Sequence, residues 1–491
     1  MNTARLLFPA LRWDPARGFG HLTGEIDDAL ARGVGGFIIF GGPAKAVRAL
    51  TDELRRRAPH PLLIGADLER GAGQQFEGAT PLPPLAAIGA LDDLQATHGA
   101  GEMTGREALA LGVNWVYAPV ADVDLEPLNP IVGTRSFGTV PERVADHVAA
   151  WVRGCRAAGA AACAKHFPGH GRTVADSHAE LPTVDYGTEE LEFDLQPFRA
   201  AVDTGVEAIM TAHVSYPALD PSGAPATLSA PILQGLLREE LGFEGLVVSD
   251  ALVMQGVLGT GGETVAVVQA LAAGCEALLY PTDLAAVAAA IDTALENGTL
   301  ARERVAQAIE RIEDLAETLA ARSGQPAGTA APPAWGRPAD HAWALDLAER
   351  SLVIRGGAPT LPAGEVDLLT IDDDVGGPYP PPARTAFPAA LSASGVLVRE
   401  VSELSAERPS LIAVYCDIRG WKGRPGLSEH ARATISAAVA VHAHATLILF
   451  GHPRLADGLP ARRILGAWGG EALMQEAAAR WLTYQALRRE L

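Results

Sequence analysis

Along the first 280 residues the apolar positions fall into short unbroken runs separated by amphipathic stretches. The runs are Arg5–Ala10, Gly36–Phe40, Leu62–Asp67, Asn114–Val120, Ala160–His166, Ala208–Ala212, Leu246–Asp250 and Ala277–Tyr280. An uninterrupted apolar run reads as a strand buried on both faces, the signature of a parallel sheet; a half-exposed sheet would alternate. Helical periodicity fills most intervals, over 25–32, 44–57, 92–111, 142–158, 189–204, 230–241 and 263–273, and then over 283–296 and 301–321.

Eight such units predict a TIM-type (β/α)8 barrel. A doubly wound open sheet would show the same alternation. Polar residues separate the two: Glu69, Asp122, His166, His213 and Asp250 stand at or just past the C-terminal ends of five different runs. In a barrel those ends converge on one mouth, whereas in an open sheet they spread along an edge. The segment 323–340, SGQPAGTAAPPAWGRPAD, is rich in Pro, Gly and Ala and reads as a linker. Beyond it, runs at 351–354, 366–370, 396–400, 411–415, 446–450 and 464–468, with helical stretches at 428–443 and 471–488, predict a smaller α/β domain with a mostly parallel sheet. The expected organisation is a catalytic barrel over 1–322, a linker over 323–340 and a second domain over 341–491.

Composition narrows the function. The chain has 491 residues, 48% hydrophobic and 20% charged, which excludes a largely disordered protein. Lys and Arg number 39 against 59 Asp and Glu, a net charge of −20. That field repels phosphate backbones and anionic lipid, so neither nucleic acid nor a membrane surface is an expected partner. The apolar run Leu6–Leu11 is too short for a signal-peptide core and is broken by Pro9. Cys155, Cys163, Cys275 and Cys416 show no paired or metal-type spacing and fit a reduced cytoplasm.

The densest reactive cluster is KHFPGHGRTVADSH, Lys165 to His178, in which Pro168, Gly169 and Gly171 impose a loop. Asp176 and His178 are its sharpest pair. At i, i+2 in a bent loop a carboxylate can hold one imidazole nitrogen and favour the protonated ring, leaving the other nitrogen to deliver a proton near neutral pH. A loop-stabilising hydrogen bond is the plainer use of the pair. A metal site is disfavoured, because HxH, HExxH and CxxC spacings are absent. Asp250 ends the run GLVVSD, where burial costs it hydration that a bound ligand can offset; capping the following segment is the alternative. Asp67 and Glu69, with Arg70, close the third run, and Gly71 and Gly73 allow close backbone approach. Asp122 and Asp124 end the fourth run, and Arg135 lies in the loop NPIVGTRSFG. A rim carrying Asp67, Arg135, Lys165, His166 and Asp250 has many donors and acceptors, which suits a polyhydroxylated ligand. Paired acids flanking a scissile bond are the usual way to cleave a glycoside; here Asp250 is one, and the other proton carrier is His178 rather than a carboxylate.

These residues resemble glycoside hydrolase family 3, in particular its β-N-acetylglucosaminidase branch with an Asp-His dyad. The segment KHFPGHGRTVADSHAELP is similar to that branch's most characteristic stretch, and NWVYAPVADV, NPIVGTRSFG, IMTAHVSYPALD and FEGLVVSDALVM follow in family order over residues 1 to about 320. The second domain resembles the α/β sandwich that many members carry. The resemblance implies a cytoplasmic retaining exo-β-N-acetylglucosaminidase acting in cell-wall recycling or on chitin fragments. In it Asp250 attacks the anomeric carbon, His178 serves as acid and base, and Asp176 orients His178. It further implies that Asp67, Arg135, Lys165 and His166 hold the terminal GlcNAc, with His213 near the pocket. No metal or organic cofactor is implied. One segment departs from the branch, which usually reads like DQEGGRVQR where this chain has DLERGAGQQF. Asp67 carries over, while Arg70 is only a displaced substitute for the branch's arginine contact. Three alternatives stay open: phosphorolysis at the same site, a broader β-glucosidase, and a non-catalytic sugar-binding protein.

Overall fold

The computed structural model describes residues 1–175, 180–259, 261–322, 335–361, 364–375, 381–419, 422 and 424–490. Most of the expected linker, 323–334, lies outside the described residues. The chain forms two compact units. One comprises residues 1–80, 94–126 and 139–337, and the other 81–93, 127–138 and 338–491.

Among the described residues the first unit carries nine short strands: β1 (Leu7–Phe8), β2 (Ala10–Arg12), β3 (Gly36–Phe40), β4 (Leu63–Ala66), β5 (Trp115–Val116), β6 (Ala161–Phe167), β7 (Ala208–Thr211), β8 (Leu246–Val248) and β9 (Leu278–Leu279). Strands β2 to β8 are neighbours in chain order in one curled parallel sheet, and β1 pairs with β9 in a second, two-stranded sheet. Pro9 divides β1 from β2 because it has no N–H for a ladder; its carbonyl still accepts from Ile38 N at 3.0 Å. A parallel bridge joins Val248, at the end of β8, to Ala277, just before β9.

Local sequence explains the covering helices. In Ala44–Arg57 the buried positions Val47, Leu50, Thr51 and Leu54 recur at helical spacing, and Arg55, Arg56 and Arg57 occupy the last turn, where they complement the helix dipole. The helix expected over 92–111 begins instead at Leu94. Asp92 adopts φ of +54°, a left-handed turn that aspartate tolerates and a helix does not, and it separates Leu94–Ala110 from a short helix at Leu85–Ala90.

Large side chains fill the space enclosed by the curled sheet. Phe8 meets Trp115 edge-on at 5.6 Å between ring centroids, and Trp115 meets Tyr117 at 5.0 Å. Gly36 and Gly65 make room for them: a Cβ on Gly36 would lie 2.9 Å from the Phe8 ring, and one on Gly65 would lie 2.2 Å from the Tyr117 hydroxyl. At the opposite, N-terminal ends of the strands, charge replaces aromatic packing. Glu276 is fully buried, takes Arg238 at 2.9 Å, Arg304 at 3.1 Å and Arg311 at 2.5 Å, and accepts from Val247 N at 2.8 Å. Glu207 binds Arg156 at 2.9 Å and Arg322 at 3.2 Å. Arg304, Arg311 and Arg322 all lie on the helix Arg302–Arg322, so these two carboxylates pin that helix to the sheet.

The second unit has a six-stranded sheet of β10 (Val353–Gly356), β11 (Glu365–Asp372), β12 (Leu397–Val401), β13 (Ser410–Cys416), β14 (Thr446–Gly451) and β15 (Arg463–Gly466). Its order is β10-β15-β14-β13-β11-β12, parallel except for β10 against β15. Strand alternation feeds two cores. Ile412, Val414, Leu447 and Leu449 pack with Ile435 of the helix Glu429–Val441, while Leu411, Ala413, Ile448 and Phe450 pack with Phe387 and Leu482 on the other face.

Glu276→Ala leaves three arginines facing an uncompensated buried void, and removing one partner from a buried ion cluster costs about 3–5 kcal/mol. We expect a loss of that order in urea unfolding followed by tryptophan fluorescence. A midpoint equal to that of the wild type would show that the cluster does not hold this end of the sheet.

Candidate active site

The ammonium of Lys165 is the centre of the site. It is buried on β6 and lies 2.6 Å from Asp67 Oδ1 and 2.7 Å from Glu69 Oε1. Asp67 follows directly on β4, and Glu69 comes two residues later, itself buried. A buried ammonium is tolerated only with such partners, so this contact ties β6 to the loop after β4. Arg70 comes next, its backbone N–H donating to Gln74 Oε1 at 2.8 Å.

His166 is held by a carboxylate from the segment after β5. Asp122, fully buried, accepts from His166 N at 3.1 Å and from His170 N at 2.7 Å, and its other oxygen lies 2.7 Å from His166 Nδ1. Burial acts to raise the Asp122 pKa. The charge and hydrogen bond of His166, with His170, outweigh it and hold the carboxyl below its ordinary range. Orienting His166 through Nδ1 directs its Nε2 elsewhere. His170 is buried against Thr173 Oγ1 at 2.8 Å, and burial lowers its pKa to about 4.

The loop after β6 is pinned before and after its reactive segment. Gly171 passes so close to Val123 that a Cβ would lie 1.6 Å from that carbonyl, and Gly171 O accepts from Glu126 N at 3.1 Å. Tyr216 donates to Gly169 O at 2.7 Å. Arg172 binds Asp194 of the helix Thr188–Asp203 at 2.6 Å. Burial raises the Asp194 carboxyl to about 6 in spite of that arginine. On the far side, Ser215 N donates to Pro182 O at 2.9 Å and Val184 N to Ser215 O at 2.9 Å. Asp176 and His178 themselves lie outside the described residues.

Asp250 stands just beyond β8, partly exposed, with Ala251 N donating to its Oδ1 at 2.7 Å. His213 is buried and supports that turn: its Nε2 donates to Ala251 O at 3.1 Å, and its Nδ1 lies 2.7 Å from Thr227 Oγ1. The field of Asp250 reaches its neighbours. The buried Cys163 thiol is pushed up chiefly by burial, with Lys165 opposing and with Asp67 and Asp250 both adding to the rise, and His170 also feels Asp250.

The structure therefore brings Asp67, Lys165, His166, His213 and Asp250 to the C-terminal ends of β4, β6, β7 and β8. Arg135 is placed differently, on the segment 127–138 that packs with the second unit, where its Nη1 donates to Ile131 O at 3.1 Å. Sequence reasoning placed Glu69 and Asp122 at strand ends without finding their tasks as partners of Lys165 and His166. A buried carboxylate ending an apolar run was the available signal. Asp194 gave none, because a helical aspartate facing Arg172 looks like any surface residue until the chain folds.

Comparison with known proteins bears on this site. Residues 25–315 match the glycosyl hydrolase family 3 N-terminal domain. The chain is 36% identical over 307 residues to a beta-N-acetylglucosaminidase/beta-glucosidase of Cellulomonas fimi, covering 60% of this chain and 54% of that protein, so it spans about half the length of that relative. It is 39% identical over 262 residues to a beta-hexosaminidase of Nitrosomonas eutropha, covering 51% of this chain and 74% of that one. A glycoside hydrolase family 3 beta-N-acetylglucosaminidase structure from Paenibacillus sp. FPU-7 superposes with a TM-score of 0.87 at 30% identity, covering 99% of this chain and 96% of that one.

His170 gives a pH test. An unfolded chain protonates it below about 6.5, but the folded site resists protonation down to about 4, so the unfolded state binds more protons between those values. Stability is therefore lost as pH falls through that window, by about 3 kcal/mol from this residue. Urea unfolding at pH 7 and pH 4.5 should show the wild type losing more stability than His170→Gln. Equal losses would remove His170 as the source.

Proposed function

Because the chain belongs to glycosyl hydrolase family 3, we propose that it is a retaining exo-β-N-acetylglucosaminidase that removes terminal β-linked GlcNAc. The observation that carries this reading is the convergence of Asp67, Lys165 and Asp250 at the C-terminal ends of three strands of one curled sheet. The names of the relatives support the sugar and the bond. In this reading the links from β8 through β9 to β1 close the sheet into a (β/α)8 barrel, and the converging side chains line its mouth.

Asp250 is the nucleophile. Its carboxylate attacks the anomeric carbon as the glycosidic oxygen leaves, giving a covalent glycosyl-enzyme that water then opens with overall retention. His178 protonates the departing oxygen and afterwards takes the proton from water, with Asp176 holding its ring. The described flanks support this role: Gly171 lies against Val123 after β5, Arg172 binds Asp194, and Pro182 accepts from Ser215 after β7. Asp67 and His166 accept or donate to the sugar hydroxyls, and Lys165 balances the carboxylates. Arg135 and Arg70 are further sugar contacts carried over from the family pattern.

Among the described residues no helix is long and apolar enough to cross a membrane. The four cysteines are free and buried, which supports a reducing, cytoplasmic site of action. A small carbohydrate is the proposed partner.

The protein should release p-nitrophenol from p-nitrophenyl β-GlcNAc, with the β-anomer of GlcNAc formed first in proton NMR. Asp250→Ala should abolish turnover. His178→Ala should cost about 10²–10⁴-fold on a disaccharide and far less on a dinitrophenyl glycoside, whose leaving group needs no proton. Equal losses on both would exclude His178 as the acid. GlcNAc-1-phosphate formed only with added phosphate would reassign the reaction to phosphorolysis.

A further inference from the structure

In the chain, the proposed acid and its orienting carboxylate fall between two described segments. The first is the loop after β6, up to residue 175, and the second runs from residue 180 into the helix Thr188–Asp203. Arg172 joins them. From the first segment its Nε donates to Asp194 Oδ2 at 2.6 Å and its Nη2 donates to Glu190 O at 3.0 Å, while its guanidinium lies 4.7 Å from the centre of the Tyr186 ring. Tyr186, Glu190 and Asp194 all belong to the second segment. An ion pair, a carbonyl and an aromatic face together fix both the place and the plane of a guanidinium. Arg172 and Tyr186 are thereby held against each other, fourteen positions apart, with Asp176 and His178 between them in sequence.

Asp194 is a costly choice for its position. It is buried, and it packs against Gly169, where a Cβ would lie 2.9 Å from the Asp194 Cβ. Gly169 is held in turn by the Tyr216 hydroxyl. The second carboxylate oxygen, Oδ1, is buried with no hydrogen-bond partner. An apolar side chain of similar size would fill this place and leave no oxygen unsatisfied, so packing alone gives no reason for a carboxylate. Electrostatics agree with the geometry. Burial raises the Asp194 carboxyl to about 6, Arg172 opposes the rise, and Asp122 from the segment after β5 adds to it. The Tyr216 hydroxyl, from the segment after β7, feels Asp194 as well. A buried pair whose burial outweighs its own attraction contributes little to stability, and such pairs are characteristic of functional sites.

We infer that Arg172 and Asp194 are positioning residues: their ion pair clamps together the two segments that flank the proposed acid and base, and proton transfer to the leaving group depends on that clamp. The inference rests on the glycosidase reading above and adds two residues that the family resemblance does not assign. Neither touches the sugar in this role. A proton donor displaced by a fraction of an ångström loses its effect only where the departing oxygen needs a proton, so a loosened clamp has a substrate signature.

The test compares kcat/KM on chitobiose, whose leaving group needs a proton, with that on dinitrophenyl β-GlcNAc, whose leaving group does not. Asp194→Asn keeps the shape and removes the charge. It should lower chitobiose turnover about tenfold, the size of one lost charged hydrogen bond, and leave the dinitrophenyl glycoside within about twofold. Arg172→Gln should do the same from the other partner, and Arg172→Lys should recover part of the loss. The pH profile is a second readout. An acid working without the clamp assists more as pH falls. With the clamp, the wild-type ratio of chitobiose to dinitrophenyl turnover should fall below about pH 6, as Asp194 takes up a proton, and Asp194→Asn should not show that fall. Equal losses on both substrates in both Asp194→Asn and Arg172→Gln, or a wild-type ratio that keeps rising below pH 6, would overturn the inference. A wild type inactive on both glycosides would instead overturn the glycosidase reading. Trypsin then decides the clamp without turnover: cleavage after Arg172 should be faster in Asp194→Asn than in the wild type, and equal rates would show that the pair clamps nothing.

Discussion

A buried ammonium between two carboxylates is expensive to place and unforgiving to misplace, and Lys165 is in that position. Its partners Asp67 and Glu69 are almost a hundred residues earlier in the chain, so the contact forms only if β4, β5 and β6 lie side by side in the observed register. Register matters because a one-residue slip would turn Lys165 out of the enclosed space and leave both carboxylates unpaired. Asp122 repeats the device one strand away, with His166 and the backbone of His170 as its compensation. Lys165 and Asp122 are thus each held by groups from another strand end.

The first unit divides its labour between its two ends. At the N-terminal ends of the strands, Glu276 and Glu207 bind arginines that anchor the helix Arg302–Arg322. At the C-terminal ends, polar residues stand on short strand extensions and loops with aromatic packing beneath them. A rigid scaffold below and adaptable loops above is the arrangement that lets a curled parallel sheet host chemistry.

The second unit is more than a C-terminal appendage in chain terms, since it includes residues 81–93 and 127–138. The latter carries Arg135, in a turn where a Cβ on Gly133 would lie 2.7 Å from Ile418. Arg135 therefore sits on a segment whose local packing is supplied by residues nearly three hundred positions later. A linear division of the sequence at the Pro-rich stretch has no means of seeing this.

Much was legible in the order of residues alone. Unbroken apolar runs gave away parallel strands, since only strands covered on both faces can be apolar throughout, and carboxylates at the ends of those runs marked the functional edge. KHFPGHGRTVADSH stood out as the densest run of histidines and charges, and in the structure Lys165, His166, His170 and Arg172 of that run each have a side-chain partner. Folding alone decided which charges meet. Lys165 could have paired with any acid nearby, Asp194 showed no sign of its arginine, and Asp92 looked helical until its backbone turned left-handed. Periodicity is written in neighbouring residues, but electrostatic and aromatic contacts depend on distances that exist only in three dimensions.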